Sequence, residues 1–142
     1  MNEPHRTPDA FDFPVRVYYE DTDAAGVVYY ANYFRFFERC RTEWLRALGQ
    51  EQSRLAEEHG LAFVVRGASA EYHRPARLDD SLIIRLRIEE LGRARVRFRQ
   101  EALRNDGEML VRGHVEVVCV NLSAMKAVAI PGWLRKELES RS

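Results

Sequence analysis

One segment breaks the two-residue rhythm that runs through most of this chain, and it restricts the fold more than any other feature. From about Tyr30 to Leu48 the period is helical: Tyr33, Phe37, Cys40, Trp44 and Leu48 recur at steps of three and four residues. Phe36 and Ala47 widen that stripe, while Arg35, Arg39, Thr42 and Arg46 gather opposite it. Gly49 is a natural stop. At about 1.5 Å per residue such a helix is roughly 28 Å long, enough to cross a small domain. The remainder is extended. "FPVRVYYE" alternates Phe13, Val15, Val17 and Tyr19 against Arg16, Tyr18 and Glu20. After a short helix expected over Gln52–His59, ended by Gly60, come "LAFVVRGASAEYHRPA", with Gly67 a candidate bulge, then "SLIIRLRIEEL" and "RARVRFRQEAL". "NDG" at Asn105–Gly107 signals a hairpin before "EMLVRGHVEVVCVNL", and "MKAVAI" is a last short strand stopped by Pro131. "GWLRKELES" reads as a C-terminal helical turn.

The expected class is therefore α+β: a curved antiparallel sheet of five or six strands wrapped round one long central helix. With 142 residues the chain is expected to form a single domain over 13–138 behind a flexible N-terminus, 1–12. Twenty-two basic residues balance 22 acidic ones, so no net cationic field gathers nucleic acid. All the cations except Lys126 and Lys136 are arginine. The two cysteines, Cys40 and Cys119, form no metal spacing and read as buried thiols of a reducing compartment. No apolar run reaches the roughly 20 residues of a membrane span, and the N-terminus lacks the apolar stretch of a secretion signal, so the expected location is cytoplasmic.

The chemistry-bearing segment is "EDTDAAGVVYYANYF", where Glu20, Asp21 and Asp23 stand directly before the greasiest helix. An acid before a helix is commonly a cap or turn former. It is also what a base needs if Gly26 turns the chain so that the carboxylate faces the helix mouth, where unpaired N–H groups carry roughly half a positive charge. Ala24, Ala25, Val27 and Val28 would then leave that carboxylate less solvated. Spacing alone does not choose among Glu20, Asp21 and Asp23.

"YYEDTDAAGVVYYANYFRFFERCRTEWL" resembles the signature of the hotdog-fold acyl-CoA thioesterases of the 4-hydroxybenzoyl-CoA thioesterase type: Asp-x-Asp, a small residue, Gly, two apolar positions and then aromatics opening the long helix. With "FVVR", "YHRPARLDD" and "VCV", it is similar to the branch associated with the Tol–Pal envelope system. The resemblance runs from about Pro14 to Ile130. It implies hydrolysis of an acyl-CoA or acyl carrier protein thioester, with short- to medium-chain or aromatic acyl groups, without cofactor or metal. It makes Asp23 the base or nucleophile and Asp21 a structural loop residue. It implies that the backbone around Gly26, Val27 and Tyr30 forms the oxyanion and substrate-binding wall. It implies a homodimer or homotetramer whose sheets join beside the substrate cleft. Relatives often carry histidine where Tyr30 stands, and a phenol with a pKa of about 10 is no substitute acid–base group at neutral pH. A non-catalytic acyl-thioester binder or envelope interaction module is the alternative.

The remaining candidates have plainer explanations. Glu38 and Glu43 lie off the apolar stripe of the helix. Arg93, Arg95, Arg97 and Arg99 form one face of a strand, either a contact for coenzyme A phosphates or a solvated sheet face. Arg74 and Arg77 flank a loop and are further phosphate-binding suspects. His5, His59, His73 and His114 neighbour no nucleophile at a recognisable spacing. His114 with Glu116 is the one thin candidate for a dehydratase pair.

Overall fold

The computed structural model describes residues 10–140. Strand β1 (Phe11–Arg16) leads through a short 3-10 turn, Tyr19–Asp21, to the long helix α1 (Asn32–Ala47). Helix α2 (Gln52–His59) follows, then strands β2 (Leu61–Tyr72), β3 (Ser81–Leu91), β4 (Arg95–Arg104), β5 (Met109–Asn121) and β6 (Lys126–Ala127), and helix α3 (Gly132–Glu139). All pairings are antiparallel, the sheet order is β1-β3-β4-β5-β2, and β6 adds to β5. This is the expected α+β architecture, a six-stranded sheet with one long helix across it.

The alternation read from the sequence decides which face each strand buries. Leu82, Ile84 and Leu86 on β3, Val96 and Phe98 on β4, and Val115 and Val117 on β5 meet the α1 residues Tyr33, Phe36, Phe37, Cys40 and Trp44 in one core. Burying each such large side chain stabilises by about 1.5–3 kcal/mol, so packing rather than helix propensity holds α1 in place. Trp44 meets Phe98 edge to face at 5.3 Å. Among the described residues two side-chain amides are wholly buried, those of Gln100 and Asn32. Gln100 donates to the Phe37 carbonyl at 2.9 Å and accepts from Arg41 at 2.9 Å, so both ends of the amide are satisfied. Cys40 and Cys119 are both buried, as expected.

Several boundaries differ from those expected. Residues 1–9 of the segment expected to be flexible lie outside the described residues, but Ala10 is buried and β1 already begins at Phe11. Asp12 anchors that start, accepting from Arg85 on β3 at 2.8 and 2.9 Å. The strand ends at Arg16 rather than Glu20, because the Asp21 carboxylate accepts the Tyr18 N–H at 2.9 Å and folds Tyr19–Asp21 into a turn. Tyr19 is therefore exposed, not inward. Helix α1 begins two residues after Tyr30. Ala47 is exposed, so it does not extend the buried stripe. The last strand is shorter than expected, two residues within 125–130, and the C-terminal turn is an eight-residue helix. The bulge in β2 falls between Val65 and Gly67, where it was expected.

One glycine sets how closely α1 approaches. A Cβ on Gly113 of β5 would lie 2.6 Å from Phe37 Cε2 and 3.2 Å from the Ser69 carbonyl oxygen. Phe37 is fully buried and has no room to retreat. Gly113→Ala is expected to cost about 1–3 kcal/mol of stability through overpacking, read as a lower urea midpoint with an unchanged slope.

Candidate active site

The acidic segment forms a tight hairpin. Thr22 and Val28 make an antiparallel bridge, the Asp23 N–H donates to the Val27 carbonyl at 2.9 Å, and the Gly26 N–H donates to the Asp23 carbonyl at 3.0 Å. Gly26 has φ +78°, closing a three-residue loop, Ala24-Ala25-Gly26, in the left-handed conformation that side chains disfavour. Asp23 Oδ1 accepts the Ala25 N–H at 2.8 Å and the Val27 N–H at 3.4 Å, as an aspartate opening a turn does. Its Oδ2 has no donor among the described residues. The Val27 N–H thus serves the carboxylate, and Val27 helps to aim Asp23 rather than offering a free donor of its own. Asp23 is exposed in the single chain, and so are Ala24 and Ala25. The desolvation expected from this apolar stretch does not arise in this chain.

Asp21 does a different job. It is buried, accepts Tyr18 N–H on Oδ2, and accepts the Asn32 side-chain amide on Oδ1 at 2.9 Å. Asn32, the first residue of α1, is fully buried as well. This pair ties the hairpin to the helix mouth, so Asp21 is the structural member of the acidic cluster, as expected. At that mouth the N–H groups of Asn32, Tyr33 and Phe34 bond back to the carbonyls of Tyr29, Tyr30 and Ala31. The N–H groups of Tyr30 and Ala31 have no acceptor among the described residues. They are the free positive end of the helix.

The loop after β2 closes the other side. The Val28 N–H donates to the Ala76 carbonyl at 2.8 Å, Leu78 N–H to the Gly26 carbonyl at 3.2 Å, and Val27 bridges to Arg77. The Tyr33 hydroxyl accepts the Ala76 N–H at 3.1 Å, and burial pushes its pKa up. Tyr72, at the end of β2, stacks on Tyr30 with ring centres 4.5 Å apart and donates to its carbonyl at 3.3 Å. Sequence reasoning did not single out Asn32, Tyr72 or Ala76. An asparagine at a helix start was the one readable sign of the first.

Residues 17–138 match the model of the thioesterase-like superfamily. This chain belongs to that family. Acyl-CoA thioesterase YbgC of Haemophilus influenzae is 50% identical over 87% of this chain and 90% of its own length. Acyl-CoA thioester hydrolase YbgC of Escherichia coli O6:H1 is 47% identical over 85% of this chain and 90% of its own. Among solved structures, that of a probable thioesterase from Bartonella henselae superposes with a TM-score of 0.80 at 42% identity, covering 86% of this chain and 99% of the other. The thioesterase-like family accounts for the hotdog architecture, the curled antiparallel sheet around α1.

Within this thioesterase-like frame the other candidates separate. Arg77 is exposed beside the hairpin, with no carboxylate within ion-pair distance among the described residues, whereas Arg74 is held by Glu108 at 2.9 Å. Arg95 pairs with Glu116 and Glu90, and Arg97 with Glu89, which fits the solvated sheet face. His114 lies 3.1 Å from Glu89 and not against Glu116, which pairs with Arg66 and Arg95, so the dehydratase pair does not form. His59 packs on Trp133, and His73 sits near Glu71. Burial raises the Cys40 thiol well above its usual pKa and leaves it inert as a nucleophile.

Replacing Asp21 by Ala strands the Tyr18 N–H and the buried Asn32 amide. The expected loss is about 1–3 kcal/mol, measured by urea unfolding, because the buried Asn32 amide and the half-buried Tyr18 N–H lose their acceptor at once.

Proposed function

We propose that this chain hydrolyses acyl-CoA thioesters, RCO–SCoA + H2O → RCOOH + HSCoA, with Asp23 as base or nucleophile. The observation that carries this is a carboxylate held on a rigid turn, one oxygen tied and the other unpartnered, next to a helix mouth whose Tyr30 and Ala31 N–H groups are unpaired. The 50% identity to a relative named acyl-CoA thioesterase supports the reaction class.

The chemistry follows from those groups. The thioester oxygen accepts from the Tyr30 N–H, and the negative charge that grows on it in the tetrahedral intermediate meets the positive end of α1. Asp23 Oδ2 either takes a proton from a water that attacks the carbonyl carbon, or attacks that carbon itself. In the first case the C–S bond breaks and the thiolate takes the proton back from Asp23. In the second, the thiolate leaves first and water cleaves the aspartyl anhydride. Tyr30 contributes its backbone; its phenol stacks on Tyr72. Arg77, beside Val27, is the proposed contact for a coenzyme A phosphate.

The exposure of Asp23 in one chain calls for a second. Strand β2 is twelve residues long, ends the sheet, and exposes Val64 and Val65, an edge that invites pairing with another copy. Its end, Tyr72, touches Tyr30. A homo-oligomer joined along β2 would cover the site and exclude water from it. Light scattering that gave the mass of one chain would remove this part of the proposal. Acyl carrier protein thioesters as substrates, a preference for short- to medium-chain or aromatic acyl groups, a cytoplasmic setting and a link to the Tol–Pal system rest on the sequence resemblance.

Asp23→Asn keeps the shape and removes the charge. Thiol release from acyl-CoA is expected to fall by about 10²–10⁴-fold with the melting temperature preserved. Full activity in the variant would refute the assignment. Label found in Asp23 after a single turnover in ¹⁸O water establishes the nucleophilic route with water attacking the aspartyl carbonyl, since direct attack of water on the thioester labels the product acid alone.

A further inference from the structure

Beyond the helix mouth, starting one turn in at Phe34, two cavities lie along α1. Helix α1 runs antiparallel to β2, so Tyr30 meets Tyr72 at one end, Phe34 shares an outer cavity of about 350 Å³ with Ala68, and Leu45 shares an inner one of about 120 Å³ with Phe63. Phe34, Glu38, Arg41 and Leu45 form one face of α1. The two cavities meet at Glu38, Arg41 and Val65, which line both. Trp44, Phe98 and Leu138 wall the inner chamber, whose volume is comparable to that of an engineered cavity of about 150 Å³ that holds benzene.

The junction of the cavities is polar, with Glu38 on its exposed side and Arg41 anchored within. Arg41 is anchored at 2.9 Å by Gln100, which is itself held at 2.9 Å by the Phe37 carbonyl. Among the described residues no carboxylate lies within ion-pair distance of Arg41, and Glu38 is held by the Thr42 hydroxyl at 2.9 Å. A hydrocarbon chain lying against this waist would strip water from both charged groups and give no hydrogen bond in return.

We infer that Glu38 and Arg41 form a chain-length gate, an acyl-specificity device set between an outer cavity that accepts short and medium acyl chains and an inner chamber reserved for longer ones. This rests on the proposed function, in which the thioester carbonyl sits at Tyr30. From Tyr30 to Glu38 is eight residues, about 12 Å through the turn that precedes α1 and its first turns. An extended alkyl chain advances roughly 1.3 Å per carbon, given bonds of about 1.5 Å at tetrahedral angles. About nine carbons reach the gate, and longer chains must pass it.

The test uses the full chain and compares tetradecanoyl-CoA with octanoyl-CoA. In the parent protein kcat/KM is expected to fall beyond about ten carbons. In Glu38→Leu, and in Arg41→Met combined with Gln100→Leu to avoid stranding the amide, the tetradecanoyl-to-octanoyl ratio is expected to rise at least about tenfold. An unchanged ratio in both variants, or a parent that turns over both esters equally, overturns the gate. A second readout needs no turnover. In Trp133→Phe, Asp23→Asn protein the remaining tryptophan, Trp44, lines the inner chamber. Tetradecanoyl-CoA is expected to shift its emission only when the gate is opened, and emission unmoved in both gate variants also overturns it. Undiminished turnover by Asp23→Asn would instead strike the catalytic assignment, leaving the fluorescence to decide the gate.

Discussion

Helix α1 lies across the sheet and must supply most of what the concave face buries. Tyr33, Phe36, Phe37, Cys40 and Trp44 do this on one stripe, and Gly113 lets Phe37 settle against β5. Once that packing is fixed, the position of the helix mouth is fixed with it. The Asp21–Asn32 hydrogen bond then sets the hairpin against the mouth, and the Tyr33 hydroxyl sets the 73–80 loop against the hairpin. The site is thus a by-product of core packing at one end of one helix.

The division of labour between the two aspartates follows from burial. Asp21 spends both oxygens on neighbours and has none left for a substrate. Asp23 spends one oxygen on its own turn and keeps the other free. The turn-forming role of Asp23 and its proposed reactive role are therefore compatible, since the turn holds the carboxylate still. In the proposed homo-oligomer, the unpaired β2 edge beside Tyr30 is where a second copy would cover the site.

The period change at α1 made the fold legible, because a helical stripe among alternating strands admits few packings. Strand faces, the bulge near Gly67 and the turn at Asn105–Gly107 were equally open to reading. Tyr19 was misplaced because alternation continues in the sequence for residues that a side-chain hydrogen bond from Asp21 pulls into a turn. Ala47 was misplaced because a small apolar residue near a helix end fits either face. At the site, Asp23, Gly26 and Tyr30 carried a local signature. Tyr72, Ala76 and Arg77 reach it through tertiary contacts some fifty residues away in sequence, and no local pattern records such a meeting.

The most direct measurement is a crystal structure of Asp23→Asn bearing an uncleaved acyl-CoA. The account predicts the thioester oxygen about 3 Å from the Tyr30 N–H, the carbonyl carbon about 3–3.5 Å from the side chain at position 23, and a second copy of the chain walling the site along β2. A thioester bound elsewhere, with the Tyr30 N–H still open to solvent, would contradict it.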